Sequence, residues 1–176
     1  MSFFRILFQR TSRWKYWFLF RFAFRLALVL TALFLVRAFL FRVQFYYGGQ
    51  GFPAVRDGDL LGVSVITRSR AAAGDLVLYR SGEAVCCGRV IACREGDCVS
   101  IEERGIFVNG LLLDEDAFYP TDPASCTVPL PVTLSAGEVF VLNDYRPDNS
   151  DSRTCGAVSS DDLIGVVILI IRTRGF

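Results

Sequence analysis

Gly74-Asp75-Leu76-Val77-Leu78-Tyr79, then Ser81-Gly82, then Ala84-Val85-Cys86-Cys87-Gly88-Arg89-Val90-Ile91-Ala92: this stretch alternates short apolar runs with glycine-bearing turns. The runs are rich in β-branched and aromatic residues and too short for helices of ordinary length, so each reads as a strand. The same pattern extends outward. Leu60 to Ile66, Cys98 to Ile101, Ile106 to Val108 and Val139 to Leu142 are strand-like. Asn109-Gly110 is the tightest hairpin signal, because both residues tolerate positive φ. Leu163 to Ile171 is packed with Val and Ile and is too short to span a bilayer, which fits a core strand. Segment 114 to 136, with Pro120, Pro123, Pro129 and Pro131, has no period and reads as a surface excursion. From Gly48 onward there is length for one compact, mainly β domain.

The chain begins differently. Residues 1 to 47 hold seven arginines, Lys15 and no acid, whereas the remainder sets eleven arginines against all 18 acidic residues. A near-neutral net charge of +1 therefore hides a basic head and an acidic body, a balance that argues against a nucleic-acid partner. Leu26 to Phe41 is the strongest apolar run, with Arg37 inside it and Arg42 just beyond, placed where long stems can snorkel to an interface. The expected organisation is a basic cytoplasmic segment over 1–25, a transmembrane helix over 26–45 and an extracytoplasmic domain over 46–176. Arginines crowded before the span place the N-terminus in the cytoplasm and the domain outside the plasma membrane. A cleaved signal peptide also has a basic start and an apolar middle, but only bulky residues follow the run, which favours retention. Tyr46 and Tyr47 suit either an interfacial aromatic belt or the start of a strand.

Six cysteines, Cys86, Cys87, Cys93, Cys98, Cys126 and Cys155, all fall in the outer body, where disulfides are permitted. Cys86 and Cys87 point to opposite strand faces and are poor partners for each other. Buried free thiols, or one or two bridges, are expected. With no Cys-x-x-Cys and no histidine, neither a zinc site nor an imidazole-activated cysteine is expected, nor any cofactor. Asp114-Glu115-Asp116 reads as a solvated acidic face rather than a cation site.

Three boxes in order carry a family resemblance. Gly48-Gly49-Gln50-Gly51-Phe52-Pro53 with Gly58-Asp59 resembles the Gly-x-Ser-Met-x-Pro…Gly-Asp box of type I signal peptidases. Gly74-Asp75-Leu76-Val77 followed by Gly88-Arg89-Val90-Ile91 resembles that family's Gly-Asp-Ile-Val stretch and its Lys-Arg-Val-Ile segment. Asn143-Asp144-Tyr145-Arg146, Asp151-Ser152-Arg153 and Gly156 resemble its Gly-Asp-Asn-Arg…Asp-Ser-Arg…Gly box. The resemblance implies a signal-peptidase-type β domain on a single-span anchor.

It also implies lost chemistry. Gln50 stands where the family has its nucleophilic serine and Gly88 where it has its lysine base. An amide neither ionises nor attacks, a glycine has no side chain, and Lys15 is the only lysine. No catalytic residue is therefore expected. The framework of a degenerate cleft is assigned to Gly48, Gly49, Gly51, Pro53, Arg89, Asp144, Arg146, Asp151, Ser152 and Arg153. Its glycines serve either a ligand or close packing, and Asp144, Arg146, Asp151 and Arg153 serve ligand contacts or a buried ion-pair and turn network. A narrower resemblance, including the tail Ile171-Arg172-Thr173-Arg174-Gly175-Phe176, is to the catalytically dead signal-peptidase-like proteins of Gram-positive pilus loci. It implies an accessory or chaperone in sortase-mediated pilus assembly, with pilin or other secreted segments as partners and a sortase as a further one. The competing class is an active signal peptidase with a non-standard catalytic site.

Overall fold

The computed structural model describes residues 3–115 and 117–172. They fall into two units, Met1–Phe39 and Leu40–Phe176. The last residues of the tail motif, 173–176, and Asp116 lie outside the described residues.

The first unit is helical, belonging to α1 (Phe3–Leu40). Within it Tyr16–Val36, 21 residues of mean hydropathy 2.1, is long and apolar enough to cross a membrane. At 1.5 Å per residue that window is roughly 30 Å long, the thickness of a hydrocarbon core.

The expected span over 26–45 differs at both ends. The apolar window starts earlier because helix continues through Arg21 and Arg25, whose charges the run on either side outweighs. The helix stops at Leu40, and Phe41–Phe45 is strand β1. The physical reason is in the residues: Phe41, Val43 and Phe45 alternate with Arg42 and Gln44, a period of two that suits a pleat and not a helix.

The second unit is mainly β. Its large sheet runs in the order β1, β2 (Leu60–Ser64), β11 (Leu163–Ile171), β3 (Leu76–Ser81), β4 (Ala84–Ala92), β9 (Glu138–Leu142), β10 (Val158–Ser159), every pair antiparallel. A smaller sheet joins β7 (Leu111–Leu112), β6 (Gly105–Val108), β5 (Cys98–Glu102) and β8 (Val132–Thr133). Asn109 and Gly110 form the β6–β7 turn with φ of 55° and 78°, as their sequence predicts. Among the described residues, the region 114–136 is largely irregular, with β8 its only strand.

Strand alternation builds the core. Val77, Tyr79, Cys86, Val90 and Val141 bury one face of the large sheet, while Leu76, Leu78, Cys87, Leu61 and Val63 bury the other. A third cluster joins the sheets through Ile91, Phe140, Leu142, Val99, Ile101 and Ile106. Cys86 and Cys87 thus occupy opposite faces, and all six cysteines are free thiols. Tyr46 is 2% exposed in the core, which removes it from any interfacial belt, whereas Tyr47 is exposed.

One face near the edge is different. Val43, Gly62 and Leu169 stand in line across β1, β2 and β11, as do Phe45, Leu60 and Ile171. Phe41, Val43, Phe45, Leu169 and Ile171 are all exposed, giving an apolar surface on the strands at this edge.

Candidate functional site

The first box forms a tight loop after β1. Its ends are pinned by the Tyr46 N–H donating to the Asp59 carbonyl at 2.9 Å and the Gly58 N–H donating to the Tyr46 carbonyl at 2.8 Å. The Asp59 carboxylate accepts from the Arg56 N–H at 2.9 Å. Gly-Asp at this spacing is therefore a structural clasp for the loop, and Tyr46 is its anchor.

Gln50 is half-buried, and its Oε1 accepts a 2.6 Å hydrogen bond from the Tyr46 hydroxyl. Its carbonyl accepts from the Tyr145 N–H at 3.0 Å, which ties the first box to the third. Burial raises the Tyr46 pKa, so the phenol stays protonated and donates. Gly48 makes this possible: a β-carbon there would stand 2.7 Å from Gln50 Oε1 and 2.8 Å from Tyr46 Oη. A β-carbon at Gly51 would stand 2.9 Å from Val55 Cβ and 3.3 Å from Cys87 Sγ, which brings the loop against β4 beside Gly88. Gly49 is the exception, with nothing within 4 Å of a β-carbon at that position. Gly48 and Gly51 are thus packing positions, and Gly49 faces open space.

Gly88 pairs with Val77 in the β3–β4 ladder. A β-carbon there would meet Val141 Cγ1 at 2.6 Å and the Leu142 carbonyl oxygen at 3.0 Å. The space beside this glycine is filled by the neighbouring strand. A side chain at residue 88 is excluded by packing, and the direction it would take leads into the core. Cys87 has a sulfur near the loop, but burial pushes its thiol up to about 12, so it is no nucleophile at neutral pH.

The third box is an ion-pair framework. Asp151 caps the short helix α2 (Ser152–Cys155), accepting from the Arg153 N–H at 3.0 Å. Its two carboxylate oxygens also accept from the Asn143 N–H at 2.9 Å and from Arg153 Nε and Nη2 at 2.9 and 2.7 Å. Arg153 is fully buried and uses its remaining donors on the Ser125 hydroxyl and on the carbonyls of Arg146 and Asp148. Ser152 Oγ accepts from the Val141 N–H at 2.9 Å. Through these contacts Asp151, Ser152 and Arg153 hold the loop of the third box in place.

Asp144 and Arg146 do not pair with each other. Arg89 grips Asp144 in a fork, Nε to Oδ1 at 2.8 Å and Nη2 to Oδ2 at 2.6 Å, and its Nη1 donates to the Gly74 carbonyl. That hydrogen-bonded pairing raises the Arg89 pKa. Arg146 instead donates from Nη2 to Glu115 Oε2 at 2.6 Å, so Glu115 is not simply part of a solvated acidic face. Sequence reasoning missed Glu115 because nothing in a run of three acids marks the one that a distant arginine selects.

Two cavities flank this framework. One of about 500 Å³ is lined by Gly48, Gly49, Phe52, Arg56, Asp57, Asp59 and Tyr145. The larger, about 730 Å³, is bounded by Pro53 of the first box and Ala54 after it, Arg89 to Ile91 in β4, Asp144 and Arg146 in the third box, and the loop around Glu115 and Phe118. Edge-to-face contacts of Tyr145 with Phe52 and Tyr119, at 6.3 and 5.1 Å, stiffen the wall between first box and loop. Pro53, Arg89, Asp144 and Arg146 therefore converge on one concavity, while Gly48 and Gly49 line the other.

The family model described as signal peptidase, peptidase S26, matches residues 19–172. Over 83 residues the chain is 34% identical to the plasmid transfer protein TraF of Escherichia coli, covering 45% of this chain and 46% of that protein. Over 77 residues it is 32% identical to the chloroplastic thylakoidal processing peptidase 1 of Arabidopsis thaliana, covering 44% of this chain and 22% of that protein. The chain thus matches less than half the length of either relative. A crystal structure of a signal peptidase I from Enterococcus faecalis V583 aligns with a TM-score of 0.45 at 23% identity, covering 54% of this chain and 94% of that one.

Proposed function

The chain belongs to the peptidase S26 signal peptidase family, and from that premise we propose that it is a membrane-anchored member without peptidase chemistry, which holds extended peptide segments of secreted proteins in a degenerate cleft. The observation that carries this is the pair Gln50 and Gly88 at the two dyad positions, in a chain whose one lysine is Lys15 and which has no histidine. The geometry at both positions supports it. Gln50 is locked onto Tyr46, and the volume beside Gly88 is occupied by Val141.

The cleft acts as an accessory or chaperone site in sortase-mediated pilus assembly, with pilin segments as ligands and the sortase as a further contact. The helix window Tyr16–Val36 serves as a single anchor in the plasma membrane, and the preceding arginines keep the N-terminus in the cytoplasm. The exposed apolar residues Phe41, Val43, Phe45, Leu169 and Ile171 suit a membrane surface. The competing possibility, an active peptidase with another catalytic group, draws on the partial likeness to a processing peptidase.

The test uses the full chain in detergent. It should leave a signal-peptide substrate intact, and a strain lacking it should make shortened or no pili and recover with the wild-type gene. Gly49→Trp, placed in open space, should bind peptide poorly while melting normally. Cleavage that survives Gln50→Ala would establish the competing class.

A further inference from the structure

We propose that the larger cavity is a binding site for a carboxylate carried on a peptide segment. This rests on the preceding reading for its peptide ligand and names the chemistry of that ligand, but it depends on neither the dyad positions nor a pilus context.

Arginines dominate its polar lining. Arg56, Arg89, Arg146 and Arg172 all border it, against Asp114, Glu115 and Asp144. Arg89 and Asp144 satisfy each other, and Arg146 and Glu115 form the second pair. Arg56 and Arg172 are left without a carboxylate partner among the described residues, while Asp114 is the one lining carboxylate without a cation there. The remaining charge is therefore positive.

Arg146 is the more telling group. It is 2% exposed, and its Nε and Nη1 have no hydrogen-bond partner among the described residues. Burial lowers its pKa, the signature of a cation that has given up water without full compensation. Buried guanidinium donors are ordinarily paired, so a cavity-bordering arginine whose enclosed Nε and Nη1 are idle marks a place where an added acceptor improves the site. A carboxylate presents two oxygens at the spacing that a guanidinium fork matches.

The walls favour a carboxylate with a carbon frame over a bare inorganic anion. Ala54, Val90, Ile91, Leu113 and Phe118 line the cavity between the arginines. Apolar walls with a few convergent polar groups are the composition of an organic-ligand pocket. A glutamate or aspartate side chain of a segment lying across the loop and β4 meets both requirements.

The experiment uses the full chain in a zwitterionic detergent and two fluorescent peptides, one with a central Glu-Glu pair and one with Gln-Gln in its place. The Glu peptide should bind at least about tenfold more tightly. Arg56→Gln with Arg172→Gln, at exposed positions without ion-pair partners, should remove most of that preference while leaving thermal melting unchanged. Arg146→Gln should weaken the Glu peptide but not the Gln peptide. Equal affinity for the two peptides, no binding of the Glu peptide, or full preference in the double variant would each overturn the assignment. Displacement by inorganic phosphate but not by acetate at matched ionic strength would reassign the cavity to phosphate and likewise overturn it.

Discussion

Adding one methyl group at residue 88 tests whether packing, rather than an open cleft, keeps this position glycine. In Gly88→Ala the new carbon would sit 2.6 Å from Val141 Cγ1 and 3.0 Å from the Leu142 carbonyl oxygen, where carbon neighbours ordinarily stand about 3.5–4 Å apart. Val141 is fully buried and β-branched, so it cannot swing aside, and the carbonyl belongs to β9. Overpacking of this kind costs about 1–3 kcal/mol, a fall in melting temperature of roughly 2–15 °C for a domain of this size. Val141→Ala alone should cost about 2 kcal/mol through lost burial. The double variant should be less destabilised than the sum by about 1 kcal/mol or more, because the new methyl enters the space vacated. Full rescue is not expected while the Leu142 carbonyl stays in place. Thermal melting of the four proteins gives the cycle directly. Additive effects, or a Gly88→Ala protein that melts like wild type, would refute the packing argument. The same geometry bears on the chemistry: Gln50→Ser with Gly88→Lys should give no cleavage, and only the triple variant with Val141→Ala has room for the lysine stem.

Asp151→Ala should cost about 3–5 kcal/mol, because it strands the fully buried Arg153 charge, and chemical denaturation should show it. Alkaline pH should also destabilise the domain. Burial lifts the Cys87 thiol from near 9 to about 12, so its contribution is intact below about 9 and is lost as pH rises toward about 12, where the unfolded thiol has released its proton and the folded one has not. Cys87→Ala should flatten that part of the stability–pH curve, and an unchanged slope would show that other buried groups, such as Tyr46 and Tyr79, carry it.

The candidate site was only partly legible before the fold was known. The three boxes mark which residues matter, and the glycine alternatives resolve position by position: packing at Gly48, Gly51 and Gly88, open space at Gly49. Gly88 was the least readable of these. A glycine in a strand looks the same in sequence whether it admits a ligand or accommodates a neighbour, and only the register of β4 against β9 tells them apart.

Local chemistry was enough for the elements. Short apolar runs such as Ala84–Ala92 and Leu163–Ile171 end where the sequence places them, because β-branched residues and turn residues act over a few neighbours. The basic, acid-free head and its apolar window are equally local. The same locality explains the miss at Phe41–Phe45, where a long apolar run masked a pleated alternation that only pairing with β2 makes decisive. Partnerships were beyond it. Arg89 meets Asp144 across 55 residues and Arg146 meets Glu115 across 31, and charge counts cannot rank such partners. Tertiary structure chose them because a guanidinium pairs with whichever carboxylate the strand order delivers within hydrogen-bond reach, and that order places β4 beside β9 and the first box under Tyr145.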